Sequence, residues 1–168
     1  MPIDRFEKVF IWISLLLLEV FFIAVLVAAF FGGIQLPAPG GLVDPEQLAN
    51  TPPFDQPGVR QVGEKEYEVV MIAQTWQFIP GEIRVPAGST VTFRITSRDV
   101  LHGFLIPNTN ANVMLVPGQV SEVTTRFKEP GEYRIICHEY CGIGHQTMFA
   151  RIFVEPATSE SQARAQEE

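Results

Sequence analysis

The residues of this chain that are best suited to chemistry lie in one short stretch, CHEYCGIGHQTM, which runs from Cys137 to Met148. The stretch contains both cysteines, two of the three histidines and one of the four methionines of the chain. Thiolate, imidazole and thioether groups are ligands for soft and borderline metal ions. Three kinds of structure therefore compete for it: a disulfide loop, a zinc site or a copper site.

A disulfide between Cys137 and Cys141 would close a very short loop, which removes little entropy from the unfolded chain. It would also leave His145 and Met148 without a role. Zinc fits better, because Cys-x3-Cys-x3-His supplies three ligands and the upstream His102 could complete a tetrahedral set. Zinc does not seek a methionine, however, and this sequence has enough apolar residues to fold without a structural metal.

Copper accounts for the whole donor set, because thiolates, a thioether and imidazoles all suit it. A mononuclear blue-copper site uses a single cysteine, so this chain has one cysteine too many. Both thiolates are used if each bridges two copper ions, with one imidazole and weak axial ligands on each ion. Such a pair can share one electron, which favours electron transfer over hydrolysis, since hydrolysis needs an open position for water. Gly142 and Gly144 suit a loop that wraps a metal, because glycine adopts backbone conformations that other residues avoid.

One long apolar segment, VFIWISLLLLEVFFIAVLVAAFF, occupies residues 9–31. As a helix it would be roughly 34 Å long, which is enough to cross a bilayer. It is too long for the apolar region of a cleaved signal peptide, so the sequence predicts a retained membrane anchor. Arg5 and Lys8 precede it and no further basic residue follows before Arg60. This asymmetry predicts that residues 1–8 are cytoplasmic and that the remainder is exported.

Glu19 lies near the middle of this anchor, where an ionisable group costs about 2.5–3.5 kcal/mol and normally faces protein or water. One interpretation is a protonated glutamic acid tolerated by an apolar helix. The interpretation we favour is contact with other transmembrane helices, which would give the carboxyl group a partner.

The remainder of the chain divides by composition. Residues 32–64 are rich in proline and glycine, as in PAPGG and TPPFDQPG, and predict a linker. Over residues 65–156 short β-rich runs alternate with turn signals such as PAG and EPG, which predicts an all-β sandwich or barrel. Residues 157–168 are polar and predict a disordered tail. The formal net charge of −7 argues against a nucleic-acid partner, which calls for a clustered basic surface.

The run DVLHGF, followed by CHEYCGIGHQTM and preceded by one membrane helix, resembles subunit II of heme-copper cytochrome c oxidases. The resemblance covers nearly the whole chain, and the two-cysteine loop with a distant histidine is highly specific to the binuclear CuA centre of that family. It implies a cupredoxin-like Greek-key β-barrel for residues 65–156, and the single membrane helix is similar to the B-type oxidases. The copper ligands that the resemblance implies are His102, Cys137, the backbone carbonyl of Glu139, Cys141, His145 and Met148.

In this family the two cysteines are bridging thiolates, the two histidines are terminal ligands, and the Met148 and Glu139 positions are axial. His138 is then a neighbour and not a ligand. Quinol-oxidising relatives have lost these ligands, so the implied electron donor is a c-type cytochrome or a small copper protein. The implied acceptor is the heme-bearing subunit I, where oxygen is reduced to water and protons are translocated. The implied location is a bacterial plasma membrane, with the copper domain on its outer side.

Three further residues match family positions. The side chain of Glu139 matches one that helps hold a magnesium ion at the subunit interface, a metal that B-type relatives often lack. Glu7 corresponds to a glutamate near the mouth of a proton-uptake pathway, and the alternative is an ordinary interfacial carboxylate. Trp76 lies where the family places aromatic residues between the donor surface and copper, and the alternative is a tryptophan of the β-sandwich core.

Two other functions stay open at the level of sequence. The electron-accepting CuA subunit of a nitric oxide reductase would carry the same ligands. A membrane-anchored copper carrier, or a structural zinc module, belongs to a different class. Carriers favour exposed, exchangeable sites for a single Cu(I), so the interlocked ligands and Glu19 in the anchor both argue against this class.

Overall fold

A computed structural model describes residues 4–31 and 38–156 of the chain. The first of two compact units, Met1–Gln35, contains one helix, α1 (Arg5–Phe31), of 27 residues. By length and composition this helix is able to cross a membrane, as the sequence predicts. The polar tail predicted for residues 157–168 lies outside the described residues.

The second unit, Leu36–Glu168, is built from two β-sheets. Its strands are β1 (Ala38–Leu42), β2 (Gly58–Gly63), β3 (Glu66–Gln74), β4 (Gln77–Ile79), β5 (Glu82–Pro86), β6 (Thr90–Ser97), β7 (His102–Leu105), β8 (Asn112–Leu115), β9 (Gln119–Arg126), β10 (Gly131–Ile136) and β11 (Phe149–Glu155). One sheet has the order β1-β9-β6-β3-β2, with β4 beside β3, and the other has the order β5-β11-β10-β7-β8. The pairs β3–β6 and β5–β11 are parallel, and the other pairs are antiparallel.

The main apolar core contains residues of both sheets. Alternate residues of β6, Val91, Phe93 and Ile95, are completely buried in it, as the alternating sequence TVTFRI predicts. Phe104 of β7 packs against Phe93 with ring centroids 5.2 Å apart and against Phe78 of β4 at 6.1 Å. The two-sheet arrangement confirms the all-β sandwich expected from the sequence.

The segment predicted as a linker differs from that expectation over residues 38–63. β1 pairs with β9 and β2 pairs with β3, so this stretch extends one sheet at both edges. Between these strands Leu48 and Phe54 are buried in a second apolar cluster with Val70 and Ile72 of β3. Proline and glycine here occur in the turns and edge strands of a folded layer, which their abundance alone does not distinguish from a linker.

Strand β3 explains why this layer is needed. Its run VVMIA, residues 69–73, is apolar at every position and is almost completely buried. Val69 and Met71 belong to the main core, whereas Val70 and Ile72 belong to the second cluster. A strand that is buried on both faces loses the alternation of apolar and polar residues. The layer before β3 therefore covers apolar side chains that would otherwise face water.

The second sheet places the cysteine loop beside the distant histidine. β10 ends at Ile136 and β11 begins at Phe149, so the loop connects two neighbouring antiparallel strands. β7 lies on the other side of β10, with Leu105 opposite Ile136. Because the two strands run in opposite directions, the residues before Leu105 lie beside those after Ile136. His102 is thereby brought to the loop.

Candidate metal centre

The loop between β10 and β11 is closed at its base by a backbone hydrogen bond. The N–H of Cys137 donates to the carbonyl of Met148 at 3.2 Å. A short 3₁₀ helix, His145–Thr147, forms the last turn before Met148. Gly142 has a φ of +114°, a conformation that side-chain-bearing residues rarely adopt. The sequence expectation of a glycine-dependent loop is met at this position.

The two cysteines lie side by side in the interior. Their Sγ atoms are 3.8 Å apart, and both are free thiols, since a disulfide requires about 2.05 Å. Nδ1 of His102 lies 3.9 Å from Sγ of Cys137, and Nδ1 of His145 lies 3.6 Å from Sγ of Cys141. Each sulfur thus has one imidazole nitrogen beside it. The ligand atoms of His102, Cys137 and Cys141 all lie within 4.8 Å of one another.

Two weaker donors complete the cluster. The carbonyl oxygen of Glu139 lies 3.2 Å from Sγ of Cys137, and Sδ of Met148 lies 3.6 Å from Sγ of Cys141. Each half of the cluster therefore offers one thiol, one imidazole and one weak neutral donor. This set is rich in soft donors and has more members than one tetrahedral zinc ion takes, so it points to a copper site. The structure brings together all six of the ligand groups that the sequence predicted.

Burial keeps the free thiol of Cys141 protonated. Burial raises the pKa of Cys141 to about 11, and the adjacent Cys137 and the Asp99 carboxylate contribute in the same direction. A thiol must lose its proton to become a metal ligand, so metal binding here releases protons. The site is thus built for a metal cation, whose charge replaces the protons and relieves the cost of two adjacent buried thiolates.

Sequence comparison agrees with this donor set. Residues 69–155 match the family described as cytochrome c oxidase subunit II, periplasmic domain. The chain belongs to the cytochrome c oxidase subunit II family. It is 44% identical over 156 residues to a cytochrome c oxidase subunit 2 of Thermus thermophilus, covering 89% of this chain and 92% of that protein. It is also 29% identical to the alternative cytochrome c oxidase subunit 2 of Bradyrhizobium diazoefficiens over 121 residues, which cover 72% of this chain and 42% of that protein.

Comparison with solved structures also points to heme-copper oxidases. A chain in the cryo-EM structure of a heme-copper terminal oxidase dimer is 38% identical, with a TM-score of 0.75, over 90% of this chain and all of that chain. The periplasmic domain of cytochrome oxidase subunit II from Bradyrhizobium japonicum is similar over 60% of this chain and 94% of that chain, with 19% identity and a TM-score of 0.50. The second likeness concerns the fold alone, and it confirms the cupredoxin-like β-domain expected from the sequence.

One residue that orients a predicted ligand was not identified from the sequence. Nε2 of His102 lies 2.8 Å from Oδ1 of Asp99. A carboxylate only accepts hydrogen bonds, so Nε2 carries the proton and the lone pair of Nδ1 is free to face the sulfurs. The signal available was an acidic residue three positions before the histidine, in DVLH. Such a spacing is common by chance, and only the turn before β7 makes it a contact.

The carboxylate of Asp99 is held in its charged form. Burial by itself would raise the pKa of Asp99, but hydrogen bonds from His102, Thr75 and Val100 outweigh it and lower the pKa to about 2. Both the N–H and the hydroxyl of Thr75 donate to Oδ2, at 2.7 and 2.8 Å, and the N–H of Val100 donates to Oδ1 at 2.7 Å. The imidazole of His102 therefore has a permanent negative charge behind it at neutral pH.

Trp76 lies against the ligand loop and not in the sandwich core. Its indole Nε1 donates to the carbonyl of Cys141 at 3.2 Å, and the side chain is 44% exposed. A Cβ atom at Gly144 would lie only 2.5 Å from Cδ2 of Trp76, so the ring packs directly on this glycine. The core interpretation weighed for this tryptophan is thus wrong, and the residue links the loop to the surface.

The other residues considered in the sequence analysis lie outside the donor cluster or at its edge. The ring of His138 is exposed and packs against Gly103, where a Cβ would lie 2.6 Å from it. Glu7 lies in the first turn of α1 and Glu19 lies near its middle. Among residues 4–31 and 38–156, the one cluster of metal-binding side chains is that of His102 and the two cysteines, so a magnesium site at Glu139 stays a prediction.

Proposed function

We propose that this chain is the electron-accepting subunit of a membrane-bound heme-copper cytochrome c oxidase. In this proposal two copper ions form a CuA centre on the two cysteines, the two histidines, Met148 and the carbonyl of Glu139. A c-type cytochrome or a small copper protein delivers electrons to it. The hemes of subunit I receive the electrons and reduce oxygen to water, with proton translocation.

The observation that carries the proposal is the paired arrangement of donors around the two buried cysteines. The sulfurs of Cys137 and Cys141 lie 3.8 Å apart, and each has its own imidazole nitrogen within 4 Å and its own weak donor. Copper bound there supplies one-electron redox chemistry. The cysteines would supply the negative charge, and Asp99 would hold His102 in the tautomer that presents Nδ1. The buried position of Cys137, Cys141 and Met148 keeps water from an open ligand position.

The test uses the full-length chain in detergent, reduced and loaded with copper. We expect two copper ions per chain and an EPR spectrum with hyperfine structure from one electron shared by two equivalent copper nuclei. A zinc-loaded sample serves as the control for metal uptake without redox activity. One copper ion with a localised spectrum, or tight zinc binding without any coloured copper form, would refute the binuclear site.

The membrane location and orientation of the chain are part of the same proposal. Helix α1 crosses a bacterial plasma membrane with its N-terminus in the cytoplasm, and residues 65–156 carry the copper site on the outer side. This orientation is supported by Arg5 and Lys8 at the start of the helix. Cysteine-specific labelling from outside intact cells, at a single cysteine placed at exposed Ile143 in a chain without the native cysteines, would test it.

Trp76 is proposed as the point where electrons enter. Its partly exposed ring lies on the surface, and its Nε1 contacts the backbone of Cys141. Tyr140 and Ile143 are exposed and are sequence neighbours of the loop residues that Trp76 contacts, so they add apolar side chains that suit a short-lived complex with a redox partner.

Trp76→Ala is therefore expected to slow reduction of the centre by cytochrome c by about thirtyfold or more, the cost of truncating a central interface tryptophan. Stopped-flow reduction measures this rate, and copper content should stay at the wild-type value. Trp12, the second tryptophan, lies in α1, and Trp12→Ala should leave the rate unchanged. An unchanged rate in Trp76→Ala would remove this residue from the path.

Glu19 is proposed to contact subunit I within the membrane. It is the one ionisable residue of α1 between Lys8 and Phe31. An interhelical hydrogen bond of this kind contributes about 1–2 kcal/mol in model peptides. Glu19→Leu is then expected to weaken retention of the heme subunit during detergent purification by roughly 5- to 30-fold.

Retention is measured as heme per copper in the purified complex. Glu19→Gln retains a hydrogen-bonding group and should restore most of it. Glu7→Gln is the control for assembly, and heme per copper should stay at the wild-type value in this variant. Glu7 is proposed to lie near the mouth of a proton-uptake pathway, so the same variant should consume oxygen more slowly. Equal retention in Glu19→Leu and the wild type would contradict the contact.

A further inference from the structure

The turn between β3 and β4 contacts both ligand-bearing segments. It consists of Thr75 and Trp76, which follow the last residue of β3 and precede β4. Trp76 donates to the carbonyl of Cys141 in the ligand loop. Thr75 donates to Asp99, which in turn holds His102 at the start of β7. One short turn is therefore connected to ligand segments that are far apart in the sequence.

The contacts of Thr75 form a continuous series that ends at a sulfur. The N–H and Oγ1 of Thr75 lie 2.7 and 2.8 Å from Oδ2 of Asp99. The other carboxylate oxygen, Oδ1, accepts from Nε2 of His102 at 2.8 Å, and Nδ1 of that ring lies 3.9 Å from Sγ of Cys137. Apart from His102, Thr75 is the one residue of the described ranges whose side chain donates to this carboxylate.

The charge that remains on Asp99 governs how strongly His102 binds a metal. A carboxylate that accepts from the outer N–H of a ligating imidazole raises the basicity of the ligand. Every additional donor to that carboxylate withdraws part of its charge and weakens this effect. The hydroxyl of Thr75 is such a donor, and unlike the backbone N–H groups of Thr75 and Val100 it depends on the side chain at position 75.

We propose that Thr75 is a positioning residue that sets the reduction potential of the metal centre by hydrogen bonding to Asp99. The inference rests on the proposed copper function and names a residue that tunes that site. A more basic imidazole stabilises the oxidised, more highly charged state of the metal. The hydroxyl of Thr75 thus raises the reduction potential, and its removal lowers it.

The experiment compares Thr75→Val and Thr75→Ser in the full-length, copper-loaded chain. Valine has the shape of threonine without the hydroxyl, and serine keeps the hydroxyl without the methyl group. We expect the midpoint potential, measured by optical redox titration, to shift downward in Thr75→Val and to stay at the wild-type value in Thr75→Ser. The nitrogen hyperfine coupling of the His102 ring should change in the valine variant in parallel.

A double-mutant cycle tests whether the effect passes through Asp99. Asp99→Asn removes the negative charge and should shift the midpoint potential upward. In that background the additional change Thr75→Val should produce a much smaller shift than it does alone, because the charge that the hydroxyl moderates is absent.

Three results would overturn the inference. The first is a midpoint potential of Thr75→Val equal to that of the wild type. The second is an equal shift in Thr75→Ser, which would indicate packing and not hydrogen bonding. The third is a shift that persists undiminished beside Asp99→Asn. A wild-type chain that binds no copper pair would instead refute the proposed function, and the copper content measured before each titration distinguishes this case.

Discussion

Replacing Cys137 or Cys141 with serine is expected to abolish the proposed two-copper centre. Each sulfur lies at the middle of the donor cluster, and a serine hydroxyl is neither soft nor deprotonated at neutral pH, so it cannot bridge two copper ions. We expect copper content to fall from two ions per chain to one or none. The EPR signal of a shared electron should disappear, and electron delivery to the hemes should fall to background.

Met148→Leu is the matched control for this prediction. Met148 is as buried as the cysteines but lies at one end of the cluster, where its Sδ is 3.6 Å from Sγ of Cys141. Leucine conserves its volume and removes one weak donor, so two copper ions should remain and the main change should be in the midpoint potential. A delocalised two-copper spectrum in either serine variant would be incompatible with bridging cysteines.

Phe104→Ala should have the largest effect on stability. The ring is completely buried and packs against Phe93 and Phe78 at the centre of the main core. Truncation of such a ring removes apolar burial and leaves a cavity, which costs about 3–5 kcal/mol of unfolding free energy. Thermal unfolding followed by near-UV circular dichroism should give a Tm roughly 10–20 °C lower.

Phe149→Ala controls for the loss of an aromatic side chain as such. Phe149 begins β11 and is 43% exposed, so the same truncation should cost about 1 kcal/mol or less. Phe104 also lies two residues after His102 in β7, and the structural loss should therefore reduce copper retention as well. Similar Tm values for the two variants would mean that the aromatic cluster around Phe104 is not the centre of the core.

Some elements of the fold have a local signal in the sequence and others have none. Helix α1 was predictable because a long apolar run is sufficient evidence for it. Strand β6 was predictable because TVTFRI alternates. The strands β1 and β2 were missed, since they lie in a segment rich in proline and glycine whose apolar residues, Leu48 and Phe54 among them, are irregularly spaced. The burial of Leu48 and Phe54 depends on packing against Val70 and Ile72, which belong to strand β3.

By itself the sequence determined the set of soft donors and the long apolar helix. The spacing of Cys137, Cys141, His145 and Met148 places four donors on one loop, and short sequence separation makes their proximity nearly unavoidable. Only the tertiary structure decided how the fifth side chain, His102, joins them, because that contact depends on the pairing of β7 with β10. It also decided the hydrogen bonds that orient His102 and the packing of the indole on the loop. These contacts join separate strands and turns, and no local pattern specifies which of them meet.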